Sequence, residues 1–190
     1  MVGDQGGRPR PYDYSHRFGV RRLGWDEAAT LAQSLAERLE GDRPDVVIGV
    51  ARAGAFPAFV IASALRRELL VVRLSRRVDE EVVFEHPVWR VPVPPTVGGK
   101  TVAVVDEIAD SGETLECARR SAVEQGAARV VTAALCAHSW AEPQPDLVAL
   151  VSDELVIFPW DVRILADSRW IPLPEVEAAI EAQRRREEPG

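Results

Sequence analysis

Apolar residues along this chain follow two spacings, one suited to a helix with a single buried face and one suited to a strand buried on both faces. Between positions 25 and 40, Ala28, Leu31, Ala32, Leu35 and Leu39 recur at three- and four-residue steps, and Asp26 and Glu27 sit where the positive end of a helix would be. This predicts an amphipathic helix closed by Gly41. Residues 45–50 (DVVIGV) are almost wholly apolar, as in a strand of a parallel sheet covered on both sides. A helix over 55–67 follows, with Pro57 tolerated in its first turn, then a strand over 69–74 (LLVVRL). The pattern repeats with a strand over 101–106 (TVAVVD), a helix over 113–125 closed by Gly126, and a strand over 129–137. Two short apolar runs within 146–160 flank Ser152-Asp153-Glu154, and 173–184 reads as a final exposed helix. Such alternation predicts the α/β class, with helices on both faces of a mostly parallel central sheet.

Three segments fall outside this alternation. Residues 1–12, rich in Gly, Pro and Arg, and the charged tail 184–190 read as unstructured, leaving one domain over 13–183. Residues 75–99 carry four prolines, many charges and the pair Gly98-Gly99, and read as a long loop with one hairpin around 82–84. A loop of that length inside a domain is commonly functional, which suggests a lid.

Composition narrows the partners. A net charge of -7 and a pI near 5.1 argue against a broad nucleic-acid footprint or an acidic membrane surface, while leaving room for a small anion in a local pocket. No apolar run approaches the ~20 residues that span a bilayer, and the first residues lack the apolar stretch of a secretory signal, so a cytoplasmic location is expected. Cys117 and Cys136 have no metal-ligand spacing and read as free thiols. Lys100 is the sole lysine, so any role that a lysine might fill passes to another residue.

The chemistry concentrates in VAVVDEIADSGETL, residues 102–115. A buried strand delivers Asp106 and Glu107, then Ala109, Asp110, Ser111, Gly112, Glu113 and Thr114 lead into a helix. Backbone N–H groups at a helix N-terminus, a glycine that lets the backbone come close, and two hydroxyls make a cradle for a phosphate. Two carboxylates at the carboxyl end of a strand can hold sugar hydroxyls or, directly or through water, Mg2+. The bland alternative is a capped helix after a strand. A second strand-to-helix turn, Ala51-Arg52-Ala53-Gly54, offers a guanidinium and backbone N–H groups to another anion, or is an ordinary turn.

The first motif resembles the signature of type I phosphoribosyltransferases: an apolar strand, two acids, two spacers, then Asp, Ser or Thr, Gly, any residue and Thr. The resemblance implies that Asp106, Glu107, Ala109, Asp110, Ser111, Gly112, Glu113 and Thr114 bind the 5-phosphate and ribose of phosphoribosyl pyrophosphate. Arg52, Ala53 and Gly54 would take its pyrophosphate, and Asp110 would be catalytic. It departs in having Glu107 where Asp is usual and Ala53 where Gly is commoner. The stretch 155–161 (LVIFPWD) resembles the base-binding hood of the bacterial and archaeal xanthine-guanine branch, which would occupy about 138–172 together with N-terminal residues. Carried over residue by residue, Leu155 would lie against the base face and Val156 would meet its edge through the backbone, while Trp160 reads as a structural wedge.

His138 stands where such relatives carry a lysine that contacts the 6-oxo group, and reads either as a base contact or as a surface histidine. The implied reaction is transfer of a phosphoribosyl group to a purine-type base, 6-oxopurine favoured, with Mg2+ held by Asp106 and Glu107. The substrates would be phosphoribosyl pyrophosphate and a nucleobase; relatives commonly form homodimers, although the sequence itself does not read out oligomeric state. The competing readings are transfer to a modified purine or a pyrimidine, and a non-catalytic regulator of the same fold that senses phosphoribosyl pyrophosphate or nucleotides.

Overall fold

The computed structural model describes residues 6–10, 17–78 and 81–187. The first strands are β1 (Gly6–Arg10) and β2 (Val20–Arg22), followed by α1 (Trp25–Glu40), β3 (Val46–Val50), α2 (Ala55–Leu65) and β4 (Glu68–Ser75). Next come β5 (Arg77–Val78), β6 (Glu81–Phe84) and β7 (Val88–Val91), then β8 (Thr101–Ala109), α3 (Glu113–Glu124) and β9 (Arg129–Ala137). The chain continues through β10 (Leu147–Val151), β11 (Leu155–Ile157), β12 (Arg163–Ala166), β13 (Arg169–Pro172) and α4 (Pro174–Glu187).

The central sheet has six strands in the order β10-β9-β8-β3-β4-β7. All its pairings are parallel except that of β7 with β4. β3, one of its two central strands, is buried at every position, as the unbroken apolar run predicts. On one face Leu35 and Leu39 of α1 and Ala58 and Ile61 of α2 pack with Val47, Ala103 and Val105. On the other, Leu115, Ala118 and Ala122 of α3 pack with Val46, Ile48, Val102 and Val104. The predicted layer arrangement is therefore present, with helices on both faces. Gly49 has a packing role in it. A Cβ there would stand 2.8 Å from the Cβ of Ala58, so the glycine lets α2 lie close to the sheet.

Outside the sheet, β2 pairs in parallel with β11, matching Val20 with Leu155 and Arg22 with Ile157, and β12 and β13 form an antiparallel hairpin. α4 covers β11 through Val176 and Ala179, which pack against Leu155 and Ile157.

The structure departs from the sequence reading at the ends and in the long loop. Gly6–Arg10 is a strand paired with β6, although its composition reads as unstructured; strand pairing uses backbone groups, to which composition is a poor guide. The remainder of 1–12 lies outside the described residues. α4 runs to Glu187, beyond the expected end at 184, and 188–190 also lie outside the description. The described part of 75–99 is more ordered than a loop: β5 and β6 pair antiparallel as the expected hairpin, and β7 adds an antiparallel edge to the main sheet beside β4. No helix of the described residues is long and apolar enough to cross a membrane.

Candidate active site

Parallel strands deliver their carboxyl ends to one edge of a sheet, and the predicted site residues follow those ends. β3 pairs with β8 as far as Gly49 and Val105, so Asp106 is the first β8 residue past that pairing. The chain leaving β3 turns through Ala51-Arg52-Ala53-Gly54 and presses back on it. A Cβ on Gly54 would meet Asp106 Oδ1 at 2.6 Å and its Cα at 2.8 Å, so only glycine permits the two loops to touch. The Ala51–Arg52 peptide is cis. Arg52 is exposed at this edge.

Strand β8 continues three residues further than the periodicity predicts, through Ala109, so Asp106 and Glu107 belong to the ladder. Asp106 is 7% exposed and its Oδ1 accepts the Glu107 N–H at 2.9 Å. Burial, and then the adjoining Glu107 carboxylate, push the Asp106 carboxyl well above the ordinary carboxylate range. A divalent cation would relieve that cost. Among the described residues no group of three or more His, Cys, Asp and Glu forms a metal cage. The donor set therefore suits a hard cation such as Mg2+ that takes a carboxylate or two and draws its remaining ligands from water and substrate oxygens.

Gly112 ends the turn after β8 in a left-handed conformation (φ 81°) and starts α3. A Cβ there would strike the carbonyl oxygen of Pro143, so backbone conformation and crowding both demand glycine. Ser111 accepts the Glu142 N–H on its carbonyl at 3.0 Å, and its hydroxyl accepts the Glu113 N–H at 3.4 Å. These contacts fix the 110–114 turn at the N-terminus of a twelve-residue helix, the geometry that favours an anion. Glu113 Oε1 also meets His86 Nδ1 at 2.6 Å, which ties the segment between β6 and β7 to this turn.

β9 runs beside β8, pairing Ala109 with Ala137, so Asp110 and His138 emerge together. His138 is fully buried. Its Nδ1–H donates to the Ser152 carbonyl at 2.6 Å, and its Nε2 accepts from Arg17 Nε at 3.1 Å. Burial, as the largest cause, lowers its pKa from the usual 6.5, and this favours the neutral ring. Arg17 NH2 reaches Asp110 Oδ1 at 3.1 Å; Trp140 stacks on the imidazole at 4.4 Å and points its Nε1 toward the same oxygen at 3.4 Å. Burial raises the Asp110 pKa from 3.8, opposed by His138 and then by the Trp140 hydrogen bond.

His138 is thus neither a surface histidine nor an imidazole with an open edge: both ring nitrogens are engaged. Leu155 is likewise committed, packed with Val176 and Ala179 in the small core beneath α4, because parallel pairing of β11 with β2 turns it that way. Val156 packs into the main core beside Phe158. Trp160 is wedged among Trp25, Phe56 and Phe158, with ring centroids 5.9, 4.8 and 5.0 Å away. Arg17 and Trp140 are the residues that sequence reasoning missed. Trp140 had a signal, two positions past His138; Arg17, 121 residues away from His138, had none.

The phosphoribosyl transferase domain family matches residues 22–167, most of the chain and all of the strand-end loops just described. The chain belongs to this family. It is 29% identical over 159 residues to the xanthine-guanine phosphoribosyltransferase of Cereibacter sphaeroides, covering 75% of this chain and 87% of that one. To the enzyme of the same name from Roseobacter denitrificans it is 27% identical, over 75% of this chain and 85% of the relative. Among solved structures, the purine phosphoribosyltransferase of Pyrococcus horikoshii superposes with a TM-score of 0.67 at 30% identity, over 75% of this chain and 94% of the other. This phosphoribosyltransferase therefore has the fold and the enzyme class that its central motif implied.

Proposed function

We propose that this phosphoribosyltransferase moves the 5-phosphoribosyl group of phosphoribosyl pyrophosphate onto a purine, a 6-oxopurine by preference, and releases pyrophosphate. The observation that carries this reading is the convergence of Gly54, Asp106 and the 110–114 turn on one sheet edge, together with relatives named for xanthine, guanine and purine. The turn at Ala109, Ser111, Gly112, Glu113 and Thr114 takes the 5-phosphate, and Arg52, Ala53 and Gly54 take the pyrophosphate. Asp106 and Glu107 hold the ribose hydroxyls. They would also hold Mg2+, which when bound neutralises charge on the leaving pyrophosphate.

In the transfer, a ring nitrogen of the base attacks the anomeric carbon as the bond to pyrophosphate breaks. Asp110 accepts the proton that the base imidazole loses, a role suited to a carboxylate whose pKa burial has raised. The carboxylates face the positive charge that develops on the ribose ring. Val156 meets the base edge through its backbone, while Leu155 and Trp160 shape the hood from behind. The 75–99 segment closes over the site and excludes water, a reading supported by the contact of His86 with Glu113 in the phosphate turn. The enzyme acts in the cytoplasm, and a homodimer is proposed on resemblance alone; sedimentation velocity reads it.

The test is a panel of hypoxanthine, guanine, xanthine, adenine and uracil incubated with phosphoribosyl pyrophosphate and Mg2+, followed by pyrophosphate release and nucleotide mass. Turnover is expected with at least one 6-oxopurine. Turnover only with uracil would move the acceptor to the pyrimidines. Silence across the panel with tight nucleotide binding would replace the enzyme by a sensor.

A further inference from the structure

The carboxylate assigned to the base proton has an unusual neighbour. Asp110 Oδ1 lies 3.1 Å from Arg17 NH2, and Arg17 is itself 5% exposed, a cation taken almost wholly out of water. A buried guanidinium is costly unless it is paired and hydrogen-bonded, and here Asp110 and His138 are among its partners, held in place by a chain of contacts. Parallel pairing of β2 with β11 brings the chain around residues 17–22 beside β11; Phe18 N–H bonds to the Asp153 carbonyl at 3.3 Å and Leu155 N–H to the Gly19 carbonyl at 3.0 Å. Arg17 is thereby set down at the carboxyl end of β9. The Ser152 carbonyl accepts a hydrogen bond from Nδ1–H of His138, which leaves Nε2 as a lone-pair acceptor for Arg17 Nε. Trp140 covers the imidazole on one side. Ser152, His138 and Arg17 thus form a relay that ends on Asp110.

We infer that Arg17, oriented by His138, is the specificity-determining residue that reads the 6-oxo group of the base. The inference rests on the proposed function, in which Asp110 faces the imidazole nitrogen of a purine. On a 6-oxopurine the oxo group and that nitrogen are adjacent on one edge, so a donor beside Asp110 is a donor beside the oxo group. Arginine presents only N–H donors, which suit an oxo oxygen that can only accept, while the neighbouring imidazole N–H is left to Asp110. On base entry NH2 exchanges its bond to Asp110 for one to the oxo oxygen, and the carboxylate is released to take the proton. A 6-amino purine would turn N–H groups toward the guanidinium, donor against donor, and be rejected. His138 could not do this alone, because a neutral imidazole can donate or accept at either nitrogen and its ring atoms are already occupied. His138 is therefore a positioning residue, and Arg17 the contact.

The experiment compares wild type, Arg17→Gln, Arg17→Lys and His138→Ala for kcat/KM with hypoxanthine and with adenine, at saturating phosphoribosyl pyrophosphate and Mg2+. For Arg17→Gln, kcat/KM with hypoxanthine should fall ~10- to 100-fold, the worth of one good paired contact. Adenine should change little or improve, and the KM for phosphoribosyl pyrophosphate should stay within about twofold of wild type. Arg17→Lys, which keeps the buried charge, should retain part of the preference and carries the same test if the glutamine variant does not fold. His138→Ala should lower the hypoxanthine-to-adenine ratio while Arg17 is intact, which a purely structural loss would not do. Equal losses for both bases, with the ratio unchanged in both Arg17 variants, would overturn the assignment. A wild-type enzyme that accepts no purine overturns the proposed function and this inference together, whereas a wild type active on hypoxanthine with an unmoved ratio in the variants overturns the inference alone.

Discussion

At the scale of single residues, small groups decide whether the loops can meet. Gly54 has an ordinary helical φ of -62°, so its importance is one of space: the added methyl of Gly54→Ala would collide with Asp106 Oδ1 and the Val50 carbonyl at 2.6 Å. The variant is expected to lose roughly 1–3 kcal/mol in urea denaturation through overpacking. It should also bind phosphoribosyl pyrophosphate more weakly by calorimetry, since Asp106 must move. Asp110 poses a chemical question. Asp110→Asn keeps the shape and removes the proton acceptor, so kcat should fall ~10²- to 10⁴-fold with donor affinity nearly intact. Equal turnover would remove Asp110 from the chemistry.

At the scale of elements, the buried sheet and the exposed contact between His86 and the phosphate turn should respond differently to substitution. Ile48 lies in β3 with no exposure and packs in the cluster that includes Leu115 and Ala118 of α3. Ile48→Ala is expected to cost about 2–5 kcal/mol in chemical denaturation, through lost burial and the cavity left behind. By contrast, the His86 side chain is 76% exposed and its pairing with Glu113 is solvent-screened. His86→Ala should leave the denaturation midpoint almost unmoved while raising the rate of limited proteolysis within 75–99. Adding phosphoribosyl pyrophosphate and Mg2+ should protect the same segment in wild type; unchanged cleavage would count against a lid.

At the scale of the whole molecule, the buried His138 links stability to pH. Its folded pKa lies below the usual 6.5, so the unfolded chain binds the proton more readily between the two values. Stability from the neutral ring is complete above about pH 6.5 and is lost as pH falls toward the folded pKa, by at most about 1.4 kcal/mol per pH unit. Asp106 and Asp110, whose pKa values are raised, act in the opposite sense above their ordinary 3.8. The difference between wild type and His138→Gln isolates the histidine. Measured by urea denaturation, the advantage of wild type over His138→Gln should shrink between pH 7.5 and pH 5.5, and a constant difference would mean that folding does not shift the histidine pKa.

Much of this was legible along the chain because it is local. β3, β8, β9, α1 and α3 follow from runs of apolar residues at strand or helix spacing, and the 102–115 motif carries its acids, glycine and hydroxyls in one contiguous turn. What the tertiary structure alone decided is which distant groups meet. Composition could not reveal that Gly6–Arg10 pairs with β6, nor periodicity that β8 extends to Ala109, because a strand's backbone bonds come from its partner. The identity of His138 allowed a base contact or a surface role; the structure buries it, with its ring nitrogens bonded to Ser152 and Arg17. Sequence spacing determines what one element can present; only tertiary packing could set Arg17 beside Asp110 and, across 121 residues, beside His138, because such contacts depend on how distant strands are laid together.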